Sequence, residues 1–187
     1  MRTSEKRELA LLLMLALAAP VHAATPQAAA SAKEGRAKVD QVTAIILRDV
    51  HPLHGGQILY LSADGSGYCQ LVTHPAGGPS LHEKRYRLAV PADTVAALWR
   101  QLSAEQLAAI PSSTQSGVPD AAKPRISARL ASGKTINITR WLHDQQADFD
   151  AVYQALLAVA KQAPATDRLL ADGKFDPNWI PQGFDLR

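Results

Sequence analysis

The sequence predicts an α+β domain: a mainly antiparallel sheet, built from two hairpins plus extra strands, with two helical segments packed on one face. Three observations favour this class. Strand-like runs come in adjacent pairs, their connecting turns contain glycine, and two other stretches place apolar residues at helical spacing. Because strands joined by short turns pair antiparallel, the sheet should be mainly antiparallel.

The first half of the chain predicts four strands. Residues 42–47 form a short β-branched run that is typical of a strand. Residues 58–62 and 68–73 are two further runs, and the turn between them contains Asp64-Gly65, a pair that readily adopts the positive φ angles of a hairpin turn. In residues 84–90 apolar and basic side chains alternate, which predicts a strand with one buried and one wet, basic face.

Helical spacing replaces the strand pattern at Pro91, a residue that suits the start of a helix. Ser103 and Gln106 have the spacing of a capping box, which predicts a second helical turn that ends at Pro111. The apolar residues that define the first stripe are Val95, Leu98, Trp99 and Leu102.

A second hairpin and a last helix complete the predicted domain. Period-two alternation in residues 125–130 and 135–139, on either side of Ser132-Gly133, predicts the hairpin. The last helix is the clearest element, since its apolar residues lie on one stripe: Phe149, Val152, Tyr153, Leu156, Leu157 and Ala160.

The first residues predict export. Three basic residues precede the apolar run Leu9–Ala19, Pro20 ends it, and Val21-His22-Ala23 supplies small or tolerated side chains at the cleavage positions. This pattern is typical of a signal peptide over residues 1–23, cleaved after about Ala23. An uncleaved anchor is the alternative, but the run has 11 residues, whereas a membrane-spanning helix needs about 20. We therefore expect a periplasmic or secreted protein without a membrane span after cleavage.

The remaining chain divides by composition. Residues 24–38 predict a flexible leader, residues 39–162 a single α+β domain, and residues 163–187 a segment with prolines and aromatic side chains. We expect this last segment to pack on the domain, because a disordered tail is normally poor in large apolar residues. Docking on another molecule is the alternative. The single cysteine, Cys69, excludes an internal disulfide and is expected in the core, although a bond to another chain or a free thiol remains open.

Charge and motifs exclude several functions. A net charge of +3 is too balanced to indicate nucleic acid or an anionic membrane as the partner. No catalytic constellation or cofactor motif is present. Four loop histidines, His51, His54, His74 and His82, are candidate zinc or copper ligands, but their spacing is generic and solvated histidines are the alternative.

Basic strand faces give the preferred functional hypothesis. If the strands that carry Arg85, Arg87, Arg125 and Arg129 are neighbours, the four arginines share one surface that suits an acidic envelope protein or polymer. Trp179 is a further candidate contact. The sequence thus predicts a non-catalytic periplasmic protein-binding or envelope accessory module. The alternative is a small metal-dependent or hydrolytic enzyme that uses the loop histidines, and the oligomeric state is left open.

Overall fold

In the computed structural model, the described elements belong to a unit that spans Lys38–Arg187. The predicted signal peptide and the predicted leader both lie outside the described residues. Residues with a described structure are 40–75, 78, 80–114, 116–117, 120–166 and 168–186.

The domain is α+β, as the sequence predicts. The three described helices are α1 (Ala92–Gln101), α2 (Ala104–Ala109) and α3 (Ala147–Thr166). Its strands are β1 (Val42–His51), β2 (Gly55–Ser62), β3 (Ser66–Thr73), β4 (His82–Ala89), β5 (Arg125–Leu130), β6 (Thr135–Thr139) and β7 (Arg168–Lys174).

One seven-stranded sheet runs in the order β6-β5-β1-β2-β3-β4-β7, and every neighbouring pair is antiparallel. Both predicted hairpins are present, and β1 joins them by pairing with β2 and β5. Strand β7 is an edge strand that the sequence analysis did not predict. The predicted boundary between residues 162 and 163 falls inside α3, so the last segment begins as helix and continues as sheet.

Local chemistry explains where the turns and helices lie. Gly65 has a φ of +85° in the turn between β2 and β3, a value that glycine adopts without a steric cost. The predicted capping box separates α1 from α2: the Ser103 hydroxyl accepts from the Gln106 N–H, and the Gln106 side chain accepts from the Ser103 N–H. The predicted first helical segment is therefore two short helices.

The sheet has two differently covered faces, because successive side chains of a strand point to opposite sides. The helix face packs against the three helices and holds the larger core, in which Cys69 is fully buried as expected. The opposite face, named the tail face below, holds a smaller core of Ala44, Ile58, Tyr60 and Phe184. Among the described residues, no helix is long and apolar enough to cross a membrane. Fully buried residues of the larger core include Ile45, Leu47, Leu59, Leu61, Leu107, Ile126 and Leu156.

Candidate binding surfaces

The four predicted arginines lie on one face of the sheet but do not form one patch. Arg85 and Arg87 belong to β4, and Arg125 and Arg129 belong to β5. Strands β1, β2 and β3 lie between those two strands, so the two arginine pairs are roughly 19 Å apart at the usual spacing of about 4.8 Å per strand. The condition that the strands are neighbours is therefore wrong, because strand order is set by pairings that a single strand's pattern does not reveal.

Arg85 and Trp179 are engaged within the chain instead of forming an open partner surface. The Arg85 guanidinium forms an ion pair with Glu83, which is 3% exposed, and lies 3.8 Å from an Asp176 carboxylate oxygen. Its central carbon lies 4.4 Å from the centre of the Trp179 ring. Gln70 donates from its amide to the second Glu83 oxygen. These contacts fix Trp179 and Asp176 on the tail face.

The two arginines of β5 also contact their own chain. Arg129 donates to the carbonyl oxygen of Gly183 at 2.9 Å. Arg125 donates to the side-chain oxygen of Asn137 at 2.8 Å, and Ser127 donates to the same oxygen at 2.7 Å. Both arginines thus make hydrogen bonds within the chain, but the acceptor oxygens are uncharged, so the bonds orient the two guanidinium groups without neutralising them.

A basic groove lies at the other end of the sheet, between β4, β7 and the turn after β2. Arg87 and Arg168 stand directly opposite each other on β4 and β7, and both are exposed. Neither side chain has an ion pair or hydrogen bond with any described residue. The groove encloses about 480 Å³ and is lined by Asp64, Gly65, Ser66, Arg87, Leu88, Ala89, Val90 and Arg168.

One acidic side chain, Asp64, is among the residues that line the basic groove. Its carboxylate oxygen Oδ1 accepts hydrogen bonds from the Ser66 hydroxyl at 2.7 Å and the Ser66 N–H at 2.9 Å. The hydroxyl bond, followed by the main-chain bond, lowers the pKa of Asp64 below its ordinary value. Asp64 is therefore a charged part of the turn, and its carboxylate makes no ion pair with Arg87 or Arg168.

Strand β7 adds an apolar edge beside this groove. It is the last strand in the sheet order and pairs only with β4, so its outer side has no strand neighbour among the described residues. Leu169 and Leu170 are 47% and 46% exposed. An open edge presents main-chain N–H and C=O groups to which another extended chain can bond. The sequence places both leucines in the C-terminal segment with large apolar residues, but it does not predict a strand there, since Arg168–Lys174 has no period-two pattern.

The candidate metal ligands form contacts in pairs. The rings of His51 and His54 stack with centres 4.7 Å apart, and His51 Nδ1 accepts from the Leu53 N–H. His82 Nε2 lies 3.1 Å from an Asp172 oxygen, and His74 Nδ1 lies 3.2 Å from the Pro75 carbonyl oxygen. Within the described part of the chain, no group of three or more His, Cys, Asp or Glu side chains could hold a metal ion.

No family model, curated protein or solved structure matches the chain. The function proposed below is therefore based on the contacts of the chain's own residues. Two surfaces offer such contacts: the basic groove with the β7 edge, and the tail face.

Proposed function

We propose that this protein is an exported, non-catalytic envelope module that binds an acidic, extended segment of another envelope protein along β7. One observation carries the proposal: Arg87 and Arg168 stand opposite each other, without an acidic partner in the described structure, next to an open strand edge. Export is proposed from residues 1–23, and its test is the mass of the native protein, which should begin near Ala24.

Charge explains why the segment should be acidic. Like charges that lie directly opposite on neighbouring strands destabilise a sheet. A carboxylate from a strand added beside β7 would lie next to Arg168, offset the repulsion between the two arginines and accept charge-assisted hydrogen bonds from the Arg168 guanidinium. Arginine is suited to this role because its planar group can hold a carboxylate through two parallel bonds.

The open edge explains why the segment should be extended. A peptide that adds to a sheet edge gains main-chain hydrogen bonds, and alternate side chains give the selectivity. Leu169 and Leu170 would supply apolar contact to the added strand, while Arg168 would select for acid at a neighbouring position. The groove residues include neither histidine nor cysteine, and their charge and edge fit binding better than catalysis.

A peptide titration tests this function. Fluorescence anisotropy would measure the binding of a labelled eight-residue peptide of alternating valine and glutamate to the full chain. A second peptide of the same length, with lysine in place of glutamate, would be measured in the same way. We expect saturable binding of the acidic peptide alone. Binding should weaken when sodium chloride is raised from about 50 to 200 mM, because salt screens exposed charges.

Three controls make the titration decisive. The double variant R87E/R168E should bind the acidic peptide at least about tenfold more weakly, whereas R100E, which reverses an exposed arginine on α1, should bind it like the wild type. An acidic peptide N-methylated at alternate residues should not bind, since it cannot pair with β7. Equal binding of the glutamate and lysine peptides, or no effect of R87E/R168E, would overturn the proposed role of the basic groove. Equal binding of the N-methylated peptide would overturn strand addition.

A further inference from the structure

The tail segment, residues 175–186, crosses the tail face from β4 towards β6. Side chains from five strands donate hydrogen bonds to its carbonyl oxygens, at distances from 2.9 to 3.5 Å. Since the donors come from so many strands, the segment runs across the sheet rather than along it. The donor and acceptor pairs are Gln70 to Asp176, Arg48 to Pro177, Tyr60 to Trp179, Arg129 to Gly183 and Thr135 to Leu186.

The described main-chain N–H bonds of the tail segment reach the sheet only at its first residue. Phe175 donates its N–H to the Leu81 carbonyl oxygen at 3.0 Å, as a continuation of the pairing of β7 with β4. After that, the Trp179 and Phe184 N–H groups bond within the tail, to the carbonyl oxygens of Asp176 and Pro181. From Asp176 to Phe184, the described contacts with the sheet are therefore made by side chains of the sheet.

Two aromatic residues anchor the tail segment. The rings of Trp179 and Phe184 each lie 5.6 Å from the Tyr60 ring, edge to face, and the same two rings lie 5.8 and 6.2 Å from Tyr68. Phe184 is 5% exposed. Asp176 adds a charged contact near Arg85. Burial raises the pKa of the Tyr60 hydroxyl, so this group stays protonated and keeps donating to the Trp179 carbonyl oxygen.

The tail face belongs to a core separate from the one that holds the helices. Its buried members are Ala44, Ile58, Tyr60 and Phe184, whereas the larger core lies on the helix face. Loss of the tail segment would therefore expose the smaller core and leave the larger one packed. Such a face resembles a peptide-binding surface: it has side-chain donors for the carbonyl oxygens of a bound segment, two aromatic anchor positions and one charge contact.

We propose that the tail face is a recognition site for a segment of a partner protein with the same two turns, which the chain's own residues 175–186 occupy in its absence. The fitting partner carries an acidic residue, tryptophan three positions later and a second aromatic residue five positions after that, the spacing of Asp176, Trp179 and Phe184. The hydrogen bonds to carbonyl oxygens hold the partner's main chain, and the anchors and the acid provide selectivity. This site is distinct from the β7 edge.

A synthetic peptide of residues 175–186 is the probe. The full-length double variant W179A/F184A loosens its own tail, and fluorescence anisotropy measures binding of the labelled peptide to it. We expect saturable binding to this variant and at least about tenfold weaker binding to the wild type, whose tethered tail competes at high effective concentration. The same peptide with alanine at both anchor positions should not bind. Adding Y60F to the variant should weaken binding about fivefold through the lost hydrogen bond.

A failure to bind would overturn the proposal if circular dichroism shows that the variant is folded. If the variant does not fold, the test uses an otherwise native chain with a protease site inserted between Lys174 and Phe175. After cleavage of the folded protein, excess free peptide should displace the cut tail, and a tail that never exchanges would overturn the proposal. Size-exclusion chromatography tests whether a second copy of this chain supplies the bound segment. A native dimer whose subunits exchange tails would overturn the proposal that the partner is a different protein.

Discussion

The ion pair between Glu83 and Arg85 gives the sharpest prediction for stability. In Arg85→Met, Glu83 keeps only the hydrogen bond from Gln70 while it stays 3% exposed. The variant also removes the charge that lies 3.8 Å from an Asp176 oxygen and 4.4 Å from the Trp179 ring centre. The methionine keeps much of the apolar stem, so charge is the main loss.

The magnitude follows from the burial of both partners. Removal of one member of a buried ion pair typically costs about 3–5 kcal/mol, because the other charge stays desolvated. The Arg85 side chain is 17% exposed, and water can therefore reach part of the site, which favours the lower end of that range. We expect about 3 kcal/mol, equivalent to a fall in Tm of about 6–12 °C for a domain of this size.

Urea unfolding followed by far-ultraviolet circular dichroism measures this loss. Arg87→Met is the matched control: it lies two residues along the same strand and the same face, is exposed, and has no acidic partner in the described structure. It should change the free energy of unfolding by less than about 0.5 kcal/mol. Glu83→Gln should partly restore the stability of Arg85→Met. Equal losses for Arg85→Met and Arg87→Met would refute the reasoning.

Three further predictions concern the core, a buried phenol and a helix cap. Leu156→Ala, in the larger core, should cost about 3–4 kcal/mol in urea unfolding, whereas Leu169→Ala on the β7 edge should cost under about 1 kcal/mol; similar losses would contradict the assigned burial. Burial and the hydrogen bond to Asp49 raise the pKa of Tyr153. Because the folded phenol holds its proton more tightly than the unfolded one, its stabilisation is full below about pH 10 and is lost above it. Tyr153→Phe should therefore lose less stability than the wild type between pH 10 and 11. If the free energy of unfolding fell equally with pH in both proteins, Tyr153 would not contribute to this pH dependence. Ser103→Ala should cost about 1 kcal/mol through loss of the cap, and a stability equal to that of the wild type would show that the cap contributes nothing.

Elements with a local sequence signal could be predicted. The Asp-Gly turn, the alternation in β5 and the apolar stripe of α3 each come from neighbours within one element, so they are visible without the tertiary structure. The capping box at Ser103 is equally local, because both of its hydrogen bonds join residues three positions apart. These signals determine the class of the domain and both hairpins.

Elements that depend on distant partners could not be predicted. Strand β7 reads Arg-Leu-Leu-Ala-Asp-Gly-Lys, a pattern with glycine and no alternation, and it is a strand because β4 offers it an edge. Glu83 is charged and yet buried, because it forms an ion pair with Arg85 on its own strand and accepts a hydrogen bond from Gln70 on β3. The separation of the arginines follows from strand order. Both candidate surfaces therefore depend on long-range pairing, which explains why sequence reasoning found Arg87 but placed it in one patch with the arginines of β5.

The pairing of β7 with β4 predicts that the two proposed sites act independently. Strand β7 stays bonded to β4 from Arg168 to Lys174, and Phe175 extends that pairing before the tail leaves the sheet. Release of residues 176–186 should therefore leave the edge and the basic groove in place. The variant W179A/F184A should bind the acidic valine–glutamate peptide like the wild type, and R87E/R168E should not expose the tail face to the tail peptide. If W179A/F184A lost the acidic peptide while remaining folded, the groove would depend on the bound tail, and the two surfaces would have to be treated as one site.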